Sequence, residues 1–119
     1  MPKEKTEAKH VVFIGLDGWG AYSLPKADMP NVKKLMEDGA YTLKKRSALP
    51  SSSAINWASM FMGAGPELHG YTEWGSKTPE LPSRVLNKNG IFPTVFQLLR
   101  DARPEAEIGW LYQWAGIKH

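Results

Sequence analysis

Val11-Val12-Phe13-Ile14-Gly15-Leu16-Asp17-Gly18 is the stretch on which the fold reading turns. A short continuous run of β-branched and aromatic residues, stopped by glycine, reads as a parallel strand buried on both faces. Asp17 then stands at the carboxyl end of that strand, where open α/β sheets bind their ligands. Asp-Gly is also a common turn pair, so the residues alone leave a turn aspartate open beside a functional one. Ahead of the run, residues 1–9 are polar and charged and read as a disordered lead-in, which leaves 10–119 as the folded part.

Two more segments extend the pattern. Residues 41–49 read as a second extended element, with Lys44-Lys45-Arg46 suggesting an edge position. Glu107-Ile108-Gly109-Trp110-Leu111-Tyr112 reads as a third. Between them lie helical patterns. Met29-Pro30-Asn31 opens a helix with Val32, Leu35, Met36 and Ala40 on one face and Gly39 as its stop. Pro93 opens another, with Phe92, Val95, Phe96 and Leu99 as its apolar stripe. Residues 71–91 are rich in Gly, Pro, Ser, Thr and Asn, and read as a long loop. This alternation predicts an α/β fold: a largely parallel sheet with helices on both faces.

Composition sets outer bounds. A chain of 119 residues with 42% hydrophobic and 23% charged residues suits one small globular domain. With no cysteine, disulfides and thiolate metal sites are excluded, so any metal must be held by Asp, Glu, His or hydroxyl oxygen. The net charge of +3 fits an anionic substrate and fits a solvated surface equally well. No nucleic-acid-binding motif is present, and no apolar run approaches the ~20 residues of a membrane span. The first ten residues lack the apolar middle of a signal peptide; an extracytoplasmic location is expected only if a signal has been removed.

The chemistry centres on Pro50-Ser51-Ser52-Ser53-Ala54-Ile55-Asn56-Trp57-Ala58-Ser59-Met60-Phe61-Met62-Gly63. Ile55, Ala58 and Met62 recur at helical spacing, which predicts a helix over 54–62. A serine at such a junction caps the helix, an ordinary structural duty. The same N-terminus offers unpaired N–H groups and the positive end of a dipole, which together hold phosphate or sulfate. Ser53 heads the helix, and Asn56 follows one turn later, within reach of the same anion. A serine hydroxyl is a weak nucleophile and needs a base or a metal to activate it. A carboxylate such as Asp17 at a neighbouring strand end is suited to hold that metal.

These stretches, with Pro30-Asn31, Gly39-Ala40, Pro66-Glu67-Leu68-His69-Gly70 and Phe92-Pro93-Thr94-Val95-Phe96, resemble the start of the alkaline phosphatase superfamily. The closest branch is the type I phosphodiesterase/nucleotide pyrophosphatase group. The resemblance runs from residue 11 to about 116. It implies an alkaline-phosphatase-like core, present here as an incomplete N-terminal part, and a metal-dependent phosphohydrolase acting on a phosphodiester or nucleotide-type substrate.

By resemblance, Asp17 matches a metal-ligand aspartate, and Ser53 matches the nucleophile that also contacts a metal. Asn56 matches the asparagine that binds phosphoryl oxygens. Two zinc ions are implied for the complete site. The pair His69-Gly70 matches a recurring His-Gly that reads as structural. Ser51 and Ser52 compete with Ser53, but the distance to Asn56 and the Met-x-Gly helix end favour Ser53. The family's later Asp and His ligands have no counterpart here, and His119 matches none of them. The other expectation is therefore a truncated or degenerate domain that binds without catalysis, and that self-associates through an exposed sheet edge.

Overall fold

The computed structural model describes residues 8–118. Most of the polar lead-in, and His119, lie outside that range. The chain divides into two compact units, Met1–Lys44 and Lys45–His119.

The described residues of the first unit carry a 3-10 turn at Ala21–Ser23 and one helix, α1, Pro30–Asp38. Proline sits at the first helical position, where its missing N–H costs nothing. Gly39 ends the helix in extended rather than left-handed backbone. Val32 and Met36 are half-buried, whereas Leu35 is largely exposed. The Lys34–Asp38 ion pair at 3.1 Å spans one turn on the solvent face and contributes a few tenths of a kcal/mol.

The second unit is built on α2, Ser53–Met62. This helix packs against the short α3, Pro66–His69, against α4, Val95–Ala102, and against a 3-10 turn at Ala115–Lys118. Gly63 closes α2 at φ +61°, a left-handed conformation that favours glycine. At α4, Thr94 rather than Pro93 defines the start: its Oγ1 accepts the N–H of Gln97 at 3.3 Å. The core is small. Ile55 is fully buried at its centre, with His69 and Tyr71 beside it. Beside α2 the rings of Trp57, Phe61, Phe96 and Trp110 form a second cluster, with centroids 5.0–5.5 Å apart. Such ring contacts are worth about 0.5–1.5 kcal/mol each beyond the area they bury.

The expected parallel sheet, and with it the alkaline-phosphatase-like core, is not present. Among the described residues there is no β-strand. Residues 11–16, most of 41–49 and 105–112 run without regular structure. Val11, Val12 and Ile14, expected to be buried on both faces, are 85%, 82% and 75% exposed. The physical reason is that β-branched composition favours extended backbone but does not supply a ladder. Parallel strands satisfy their N–H and C=O groups only on neighbouring strands, and these segments do not pair with one another. Helices satisfy their backbone internally, which is why α1, α2 and α4 form where their periodicity places them.

Candidate phosphoryl-transfer site

Asp17 lies in the first unit, in a turn. Its Oδ1 accepts the N–H of Gly18 at 2.8 Å, and Gly18 takes φ +71°. The side chain is exposed. This is the turn geometry that Asp-Gly favours, reached at the end of an extended segment rather than a paired strand.

The three serines occupy different environments. Ser51 is exposed, and its hydroxyl bonds Ser47 Oγ at 3.1 Å. Ser52 takes the N-cap position with extended backbone, yet its side chain makes no capping bond. Its Oγ is buried without a hydrogen-bond partner among the described residues. A sealed hydroxyl cannot approach an incoming phosphorus atom. Ser53 is the first residue of α2 and is half-buried. No acidic residue occupies the first turn of α2, so the positive end of the helix is not neutralised there.

Asn56 closes the strap leading into α2. Its Oδ1 accepts the N–H of Ala48 at 2.8 Å, and its Nδ2 donates to Ser52 O at 3.0 Å and, more weakly, to Ala48 O at 3.4 Å. Ser52 O also accepts the backbone N–H of Asn56 at 3.0 Å. Asn56 therefore fixes the chain entry beside Ser53. Its place in the sequence suggests an amide aimed at an anion and does not announce this structural duty. One clue is the i+4 spacing from Ser52 to Asn56, which brings side chain and carbonyl together.

Further along α2, Ser59 and His69 form a second polar cluster. Ser59 Oγ lies 3.0 Å from His69 Nε2 and donates to Ile55 O at 2.8 Å. His69 Nδ1 accepts the N–H of Tyr71 at 3.1 Å. A ring nitrogen that accepts an N–H carries a lone pair, so in the neutral ring the proton sits on Nε2, facing Ser59. That tautomer cannot take a proton from Ser59. The pair is a hydrogen-bonded strut and not a nucleophile with its base. Burial lowers the His69 pKa, against an opposing pull from the nearby Glu67 carboxylate.

A hollow of about 510 Å³ runs beside α2, lined by Trp57, Phe61, Phe96, Trp110, Tyr112 and Trp114 among others. No charged side chain lines it. A phosphate would be poorly held there, so the anion-binding character of the helix belongs to its N-terminal end. No three His, Asp or Glu side chains converge among the described residues. Asp17 and Ser53 alone do not make a zinc site, which takes four ligands, or three with a water.

The sequence profile of the type I phosphodiesterase/nucleotide pyrophosphatase family matches residues 11–96, and the chain belongs to that family, within the alkaline phosphatase superfamily. Comparison with curated proteins and with solved structures gave no match. Asp17, Ser53, Asn56 and His69 all fall inside the matched region. Among the described residues no helix is long and apolar enough to cross a membrane.

Proposed function

We propose that this chain carries the nucleophile half of a phosphodiesterase of the nucleotide pyrophosphatase type, with Ser53 as the attacking residue. The observation that carries the reading is the family match over residues 11–96, in which Ser53 stands at the first position of α2. Ser53 Oγ forms a bond to phosphorus while the bond to the leaving oxygen breaks. The hydroxyl proton is lost as the leaving oxygen gains one; Ser53 then carries the phosphoryl group with its second ester still attached, and water cleaves the Oγ–phosphorus bond to release the phosphate monoester and the free serine. The first-turn N–H groups of α2 stabilise the charge on the phosphoryl oxygens. Asn56 contributes through its Nδ2, whose bond to Ala48 O at 3.4 Å is long enough to exchange for a phosphoryl oxygen. By family resemblance, Asp17 and Ser53 are each proposed as a ligand position for a divalent metal, with zinc the metal proposed for the complete site.

The test is incubation with an aryl phosphodiester and zinc, acid quenching, and peptide mass spectrometry. A phosphoryl adduct on Ser53 that still carries one aryl ester, lost in Ser53→Ala, is the expected result. Turnover retained by Ser53→Ala refutes the assignment.

A second reading is a domain that binds phosphate esters without cleaving them, favoured by the lack of a three-ligand cluster among the described residues. Saturable binding of the diester with no adduct on Ser53 would select it. The exposed Val11, Val12 and Ile14 also support self-association, now through exposed apolar side chains in place of the sheet edge.

A further inference from the structure

We propose that His69 is an acid-released latch: protonation of its ring at Nδ1 turns the acceptor of the Tyr71 N–H into a competing donor, and the 70–84 segment then opens from α2. This goes beyond the phosphoryl-transfer reading and does not depend on it. The neutral arrangement is complete. Tyr71 N–H donates to Nδ1, Nε2–H donates to Ser59 Oγ, and the Ser59 hydroxyl donates to Ile55 O. Every polar atom of the ring has one partner, and the ring has no exposed surface.

The backbone links of the segment converge on the same turn. Ser83 Oγ donates to His69 O at 2.7 Å, Leu81 N–H to Gly70 O at 3.0 Å, and Arg84 N–H to Leu68 O at 3.1 Å. Gly70 holds φ +82°, and a Cβ built there would lie 2.1 Å from Leu81 O. The turn is thus tightly specified, with little room for a rotated ring. An added proton places two N–H groups head to head at 3.1 Å, and puts a positive charge where water does not reach.

The charges around the ring do not offset that cost. On its own helix, Glu67 favours the imidazolium, but desolvation outweighs it and the pKa lies below its ordinary value. From α2 the ring faces the neutral Ser59 hydroxyl, and α2 carries no ionisable side chain. From the segment it faces the Tyr71 ring at 5.8 Å, whose phenol is kept protonated by burial and by Glu80. Glu80 itself is tied to Thr72, through N–H at 2.7 Å and Oγ1 at 3.3 Å, and Arg84 joins through its backbone.

The sign of the pH dependence follows. The closed form binds the proton more weakly than the open form, whose histidine titrates near 6.5. Closure is at full strength above that value. It weakens as pH falls below it, until the closed form also protonates.

The experiment is hydrogen exchange on the wild-type chain between about pH 7.5 and about pH 5.5, corrected for intrinsic rates, with nitrogen NMR of the imidazole. At the upper pH, Nε2 is expected to carry the proton. Below 6.5 the protection of Tyr71, Leu81 and Arg84 amides is expected to fall by about tenfold per pH unit, with Leu98 in α4 unchanged. In His69→Gln, which cannot titrate, that dependence should vanish. An Nδ1–H tautomer at neutral pH overturns the proposal even if the variant does not fold. So does protection at 71, 81 and 84 that persists while the ring is protonated, or that is lost equally in α4.

Discussion

Replacing Ile55 by alanine should cost the second unit about 3 kcal/mol. Ile55 has no exposed surface and is the one large aliphatic side chain fully buried among the described residues. The substitution removes three carbons. At roughly 0.8 kcal/mol per buried methylene, the transfer part is about 2.4 kcal/mol. The cavity adds to this, and Ile→Ala changes span about 2–5 kcal/mol. Few other side chains of this unit are fully buried, so the surroundings of Ile55 can settle inward, which places the value in the lower half of that range. Three kcal/mol is more than a hundredfold in the folding equilibrium, set against totals of about 5–15 kcal/mol for whole domains. Urea unfolding followed by tryptophan fluorescence reads it, since Trp57 shares α2 with Ile55 and stacks on Phe61, which also meets Trp110. Leu111→Ala is the control: Leu111 is 98% exposed, and its removal should shift stability by no more than about 0.5 kcal/mol. A loss below about 1 kcal/mol at Ile55, or equal losses at both positions, would refute the view that α2 organises this unit.

Asn56→Ala removes the partner of Ala48 N–H and one of the two donors to Ser52 O; a cost of about 1–3 kcal/mol and faster exchange of the Ala48 amide are expected. Gly63→Ala should cost about 1–2 kcal/mol from backbone strain alone, because a Cβ there meets nothing within 4 Å; thermal unfolding checks it. Gly70→Ala should be worse than Gly63→Ala, since its Cβ also collides with backbone at Leu81. Val12→Lys should lower the apparent mass in light scattering if the 11–16 segment drives self-association, and a mass unchanged by the substitution removes that idea.

How much of this is legible in the sequence depends on whether a segment completes its hydrogen bonds by itself. Pro30 with Val32 and Met36, and Ile55 with Ala58 and Met62, announce helices that form. Thr94 is a readable cap signal, and its Oγ1 accepts the N–H of Gln97 three residues later. Residues 66–69 look like a turn and its tail, yet Pro66 opens a short helix that carries His69 inward. Val11 to Ile14 announce a strand with equal clarity, but a strand is a relation between segments, and no composition states whether the partner is there. The candidate site divides the same way. A local rule places Ser53 at the helix start. The duty of Asn56 toward Ala48, and the Ser59–His69 strut, depend on how the chain returns on itself, which residue types alone do not encode.

The pinning of residues 70–84 has a use in engineering. Thr72 and Glu80 clasp the base of the 73–79 excursion, while Leu81 and Arg84 are anchored below it. Gly75 sits near its tip, exposed, and a Cβ added there would meet only open space. An insertion at Gly75 therefore meets a closed ring whose ends are already joined, and lengthening such a ring costs only slowly growing closure entropy. An affinity tag or a protease site placed there would give up the Glu73–Ser76 turn and the Trp74–Trp114 stack at the tip, and keep the Thr72–Glu80 clasp and the anchors at Leu81 and Arg84.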